Sequence, residues 1–279
     1  MPLPCFETGD NEPHLHFLHA NGCPPATCNP LLDLLETHYH VFGMLLRPLW
    51  PEANMMDIRS WIPFSDDLLR FLSDRGTGPV IGVGHSIGGI VTLRAALRDP
   101  GKFRALALFD PVLFVPPFLI LWNLLRVVGL GKRLHPKIPG ALKRRKNFDD
   151  LEQVFQAYRT RPVFRYIIDE NLRACIAGIT KAGANGDYEL VFSPEWEAHI
   201  YLTGLLDFDI LQGMHILEMP TLIIKGAETD TFMEKAANLV KKRNQKIRIE
   251  VLERSTHLLP LEHPQKIFDM THSFLKEVL

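Results

Sequence analysis

A serine hydroxyl attacks a carbonyl only when the surrounding chain presents and activates it, and the residues from Pro79 to Gly89 are built for that. The apolar run Val80-Ile81-Gly82-Val83 ends in Gly84-His85-Ser86-Ile87-Gly88 and passes at once into a helical stripe of Ile90, Val91, Leu93, Ala95, Ala96 and Leu97. Strand, sharp turn and helix form the setting in which a serine can be a nucleophile. Gly84 and Gly88 stand two residues to either side of Ser86, where so tight a turn leaves no room for a β-carbon. The N–H of Ile87 then opens a helix, a place where negative charge is stabilised.

Such a serine needs a base. Of the 12 histidines, His257 follows the last expected strand, in a loop at the same sheet edge as Ser86. His263 lies beside Pro264 where the closing helix begins and reads as a surface or capping residue, while His85 should point away from the reaction centre. His135, His199 and His215 fall in or near an insertion. A carboxylate must then orient the imidazole. Asp230 follows the strand Leu222–Lys225, and Asp110 follows Ala105–Phe109; both give the chain order Ser, Asp, His. Pro111 marks Asp110 as a turn residue, so Asp230 is the expected acid, with Asp110 the alternative and Glu228 a minor contender. A tetrahedral oxyanion needs two N–H donors. Ile87 supplies one, and the small, glycine-containing loop His19-Ala20-Asn21-Gly22 the other, through Asn21 or, next, Ala20. His19 itself reads as a buried structural histidine.

These groups must be positioned by a sizeable core, and 279 residues at 46 % hydrophobic composition can supply one. A formal net charge of -1 argues against a dedicated nucleic-acid binder. Cys5, Cys23, Cys28 and Cys175 form no C-x-x-C pair and read as reduced thiols. Met1 to Pro13 has neither the basic nor the apolar region of a signal peptide, and a cytoplasmic protein is expected. Nothing in the pattern asks for a metal or a cofactor.

Strand and helix patterns alternate along the chain, which implies a parallel sheet with helices on both faces. Expected strands are His14–Leu18, Tyr39–Leu46, Val80–Val83, Ala105–Phe109, Thr221–Gly226 and Ile247–Leu252. Ile62–Leu72 reads as a helix with Ser65, Asp66 and Asp67 towards water. The rhythm stops between Pro111 and Asp209, where helical patterns run without strand signals. Residues 1–110 and 210–279 are therefore expected to form the core, and 111–209 an inserted helical cap. Its apolar stretch Val112–Leu130 is interrupted by Pro116, Pro117, Asn123 and Arg126, which rules against a spanning helix. Bases follow at Lys132, Arg133, Lys137 and Lys143 to Lys146. Contact with a membrane surface is conceivable for such a segment, but packing on the protein body around a greasy pocket is the favoured reading. Phe114, Phe118, Trp122 and Trp196 are the expected pocket wall.

Four motifs together resemble the α/β-hydrolase fold superfamily, in its cap-bearing serine-hydrolase and esterase form. They are His19-Ala20-Asn21-Gly22, Gly84-His85-Ser86-Ile87-Gly88-Gly89, Leu222-Ile223-Ile224-Lys225-Gly226 with Asp230, and the run from His257 to Pro264. The resemblance implies an eight-stranded, mostly parallel sheet, a helical cap between strands six and seven, and hydrolysis through an acyl-enzyme. A serine at the elbow sets the chain apart from the branches that use aspartate there. Hydrolysis of a carboxylic ester of a hydrophobic small molecule is the leading expectation. Thioester, lactone or C–C cleavage on the same triad, or a non-catalytic binding module of the same fold, are the alternatives.

Overall fold

The computed structural model describes residues 2–184 and 186–279. The chain enters through a short edge strand, β1 (Cys5–Thr8), followed by β2 (His14–Leu18), α1 (Asn29–Glu36) and β3 (His40–Met44). Next come α2 (Ile62–Arg75), β4 (Val80–His85), α3 (Ile87–Arg98) and β5 (Phe103–Phe109). The insertion holds α4 (Pro116–Val127), α5 (Gly131–Leu134), α6 (Ile138–Leu142), β6 (Asn147–Phe148), α7 (Leu151–Arg159) and α8 (Asp169–Ile179). It continues with β7 (Thr180–Ala182), β8 (Tyr188–Leu190), α9 (Pro194–Thr203) and α10 (Phe208–Gly213). The core resumes with β9 (Thr221–Gly226), α11 (Glu234–Arg243), β10 (Arg248–Leu252), α12 (Leu259–Glu262) and α13 (Pro264–Val278).

The central sheet has the order β1-β3-β2-β4-β5-β9-β10, parallel except for β1. Its inner strands are buried on both faces, and the period of two sorts their side chains between two cores, while the edge strands β1 and β10 are partly exposed. In β5, Leu106 and Leu108 join Phe64, Ile90 and Leu93 on one face, while Ala105, Ala107 and Phe109 join Phe17, Ile81 and Phe268 on the other. β9 repeats the division, with Ile223 on the first face and Leu222 and Ile224 on the second.

Three expectations need correction. Among the described residues the central sheet has seven strands rather than eight, because nothing pairs with the outer edge of β1. The insertion is not purely helical: β6, β8 and β7 form a small antiparallel sheet, too short and too polar to read from periodicity. On α2, only Asp66 of the expected wet trio is exposed. Ser65 is buried against the carbonyl of Val91, and Asp67 takes a two-point ion pair from Arg47 at 2.6 and 2.9 Å.

The cap leaves the core after β5 and returns before β9, and its return is pinned electrostatically. Arg94 on α3, almost fully buried, donates to Asp207 at 2.5 Å and to Asp209 at 2.8 and 3.1 Å. A buried guanidinium needs such partners, since an unpaired one would carry a desolvation penalty of several kcal/mol, about 3–5 on removal of one partner.

Candidate active site

Ser86 stands between β4 and α3 with φ 59° and ψ −120°, a left-handed conformation that is strained for any side chain. The crowding behind it explains the glycines. A β-carbon on Gly84 would lie 2.5 Å from the Gly88 backbone, and one on Gly88 would lie 2.1 Å from the carbonyl oxygen of Leu18. The turn is tied to the neighbouring strand by the Ser86 N–H, which donates to the Phe109 carbonyl at 3.0 Å.

That strand decides which carboxylate reaches His257. β4 and β5 pair with His85 opposite Phe109, so the residue after Phe109 emerges beside the elbow. The residue is Asp110, wholly buried and itself at positive φ (42°). Ser86 Oγ lies 2.8 Å from His257 Nε2, and His257 Nδ1 lies 2.6 Å from Asp110 Oδ2. A carboxylate only accepts, so Nδ1 donates to Asp110 and leaves Nε2 free to accept the serine proton. Asp110 is held in turn by the Gly226 N–H at 3.3 Å and the Thr229 hydroxyl at 2.5 Å.

Asp230, the expected acid, is therefore displaced from that position. The start of the loop after β9 is tied to the end of β10 and to the His257 loop by Ala227 N–H to Leu252 O and Glu228 N–H to Ser255 O, and it is Thr229 that reaches Asp110. Asp230 ends two-thirds exposed, accepting from Lys137 Nζ at 3.1 Å and Thr231 Oγ1 at 3.0 Å. Glu228 also faces outwards, to Arg165 and Tyr166. What this loop contributes to His257 is the Thr229 hydroxyl on Asp110, not a carboxylate of its own.

The loop carrying His257 is braced by two further groups, Glu262 and His85. Buried Glu262 accepts from Ser255 Oγ (3.0 Å), Thr256 N–H (2.8 Å) and Thr256 Oγ1 (2.6 Å). His85 donates from Nε2 to the His257 carbonyl at 2.8 Å. Burial, reinforced by the adjacent His257, pushes the His85 pKa down to about 3, so this ring stays neutral and keeps the single proton it donates. The pair Ser255-Thr256 seven and six residues before an acid was the available signal for the Glu262 clasp.

On the opposite side, His19 is fully buried and shapes the second loop. Its Nε2 accepts from Leu46 N–H at 3.0 Å, which places its proton on Nδ1 facing the Ala20 carbonyl at 2.9 Å. Burial lowers its pKa to about 4. Asn21 is fixed by its side-chain amide, which donates to the Glu197 carbonyl on α9 at 3.1 Å. Ile87 opens α3, so its N–H has no partner within the helix.

The expected apolar wall is only partly a wall. Trp122 is buried edge-on against His135, and Trp196 is half-buried edge-on to His199. Phe114 stacks on Phe118 at 4.5 Å, but Phe118 itself is exposed. The cap also carries polar pairs. Arg144 is held by Glu197 and by the Tyr158 hydroxyl at 2.8 Å, and Lys137 by Asp230.

Residues 17–270 match the Alpha/beta hydrolase family, and the chain belongs to it. Among individual proteins, the chain is 20 % identical to (E)-2-((N-methylformamido)methylene)succinate hydrolase of Acinetobacter baylyi, over 97 % of this chain and 93 % of that one. The crystal structure of E-2-(acetamidomethylene)succinate hydrolase superposes with a TM-score of 0.76 at 16 % identity, covering 98 % of this chain and 94 % of the other. The thioesterase domain from the curacin biosynthetic pathway gives 0.75 at 15 % identity, with 96 % and 94 % covered.

Proposed function

We propose that the protein is a serine hydrolase that cleaves a carboxylic ester of an uncharged, hydrophobic small molecule through an acyl-enzyme. The observation that carries this reading is the continuous hydrogen-bonded line from Ser86 Oγ through His257 to Asp110. His257 Nε2 takes the serine proton as Oγ bonds to the carbonyl carbon, and Asp110 stabilises the imidazolium that results. The backbone N–H groups of Ile87 and Asn21 hold the oxyanion. His257 then gives its proton to the departing alkoxide as the C–O bond breaks. Water, deprotonated by the same nitrogen, attacks the acyl carbon, and the acid leaves with Ser86 re-protonated.

An uncharged substrate is favoured over a carboxylated one because Arg144 and Lys137, the cap cations tied to the loops of Asn21 and Asp230, are already paired. Arg144 pairs with Glu197 and Lys137 with Asp230, so a dicarboxylate would have to break a pair to gain one.

Intact mass after fluorophosphonate treatment tests the nucleophile. One covalent adduct on the parent and none on Ser86→Ala is expected; an adduct on both, or on neither with the protein folded, overturns the assignment. A panel of uncharged esters against succinate-type substrates tests the specificity. Faster turnover of the charged substrates would overturn the hydrophobic-ester reading and leave the nucleophile intact.

A further inference from the structure

The outward face of α4 is unusual for a helix on a protein surface. Leu119, Trp122 and Asn123 face the body, where the Asn123 amide donates to the carbonyls of Leu119 and Leu205 at 2.8 Å each. The opposite side should be polar. Instead Ile120, Leu121, Leu124, Val127 and Val128 stand exposed at helical spacing, between 54 and 81 % accessible. Leu130, Leu134 and Leu142 extend the patch across α5 and α6. Of the 17 large hydrophobic residues exposed among the described residues, nine fall between Phe118 and Leu142. Scattered single exposures are ordinary; a contiguous patch marks an interaction surface.

Charge identifies what covers it. From Pro111 to Phe148 the sequence holds eight Lys and Arg residues and no Asp or Glu. Lys132, Arg133 and Lys143 are exposed and make no salt bridge among the described residues. A second copy of the chain docking through this face would set base against base. A helix of 12 residues spans about 18 Å, well short of the roughly 30 Å of a hydrocarbon core, and no helix of the described residues is long and apolar enough to cross a membrane. Apolar residues flanked by bases on a short helix suit the plane of a bilayer instead.

We propose that α4 to α6 form a docking surface for an anionic lipid bilayer, with the exposed side chains of α4 entering the acyl boundary and Lys132, Arg133 and Lys143 meeting the headgroups. Within Val112–Leu130 the buried residues Leu113, Leu119 and Trp122 pack inwards, and the longer stripe faces out. The surface adjoins the site, since only Pro111 to Val115 separate Asp110 from α4. The inference stands whichever bond Ser86 cleaves.

Vesicle flotation tests it, with phosphatidylcholine alone and with phosphatidylcholine containing phosphatidylserine, at low and high salt. The parent is expected to float with the anionic vesicles at low salt and to be released by salt or by loss of phosphatidylserine. Leu121→Glu with Leu124→Glu should lower the partition coefficient by about a hundredfold, with melting temperature and turnover of a soluble ester unchanged. Lys132→Glu with Arg133→Glu should abolish the preference for anionic vesicles. Three results would overturn the proposal: a parent that stays unbound, leucine variants that float equally well, or a parent dimer in sedimentation that the leucine variants turn into monomers.

Discussion

The site lies between two halves held together by different physics. On the core side, Asp110, Ser255 and Thr256 are buried and His257 is half-buried, and each orienting group has a named partner: Gly226 and Thr229 for Asp110, Glu262 and His85 for the His257 loop. On the cap side, short helices are tied to one another by Arg144–Glu197 and to the core by Lys137–Asp230, while leaving a broad apolar stripe in solvent. The difference separates two tasks. Catalytic groups must be fixed before substrate arrives, because preorganised hydrogen bonds are not reorganised during reaction. A surface that meets lipid or admits a hydrophobic substrate gains from exposing the apolar area that a core would bury.

Perturbing the core side should give the larger effects. Ser86→Ala is expected to lower kcat/KM on the best ester by on the order of 10⁵-fold with an unchanged melting temperature; an activity within tenfold of the parent would remove the serine from the mechanism. Glu262→Ala strands three donors, two hydroxyls and the Thr256 N–H. It should cost about 3 kcal/mol in chemical denaturation and lower kcat as His257 loses its support. A variant equally stable and active would show the clasp to be passive.

Acid should weaken the core through its buried histidines. Burial depresses His16 and His85 to about 3 and His19 to about 4, against about 6.5 in the unfolded chain. Between these values the unfolded chain binds protons that the folded one refuses. Stability is therefore complete above about pH 6.5 and declines as pH falls through the window. Urea midpoints measured from neutral pH downwards should fall over this range, and flat midpoints would contradict it. On the cap side, breaking the exposed pair to Asp230 with Lys137→Ala should change stability by less than about 1 kcal/mol, as exposed pairs do.

The parts legible in the sequence are those fixed by local chemistry. Continuous apolar runs define the inner strands, buried on both faces, and the glycines around Ser86 announce a turn that tolerates no β-carbon. The acid was not legible, because both Asp110 and Asp230 end strands in the right chain order. The choice rests on register: His85 opposite Phe109 sets Asp110 beside the elbow, while Asp230 accepts from Lys137 and Thr231 instead. Asp67 was hidden for a similar reason, since its partner Arg47 lies 20 residues away. The strands β6 to β8 have three residues or fewer and hold together only by pairing with each other. The outward stripe of α4 escaped because hydrophobicity alone does not say which face is covered.

The central claim is that Asp110 is the carboxylate that orients His257. The most direct test is kcat/KM for Asp110→Asn and Asp230→Asn, measured side by side on one uncharged ester with both variants shown to be folded. Asp110→Asn should lose about 10⁴-fold, and Asp230→Asn should stay within a few-fold of the parent. A crippled Asp230→Asn beside an active Asp110→Asn would contradict the account and return the orienting role to the loop after β9.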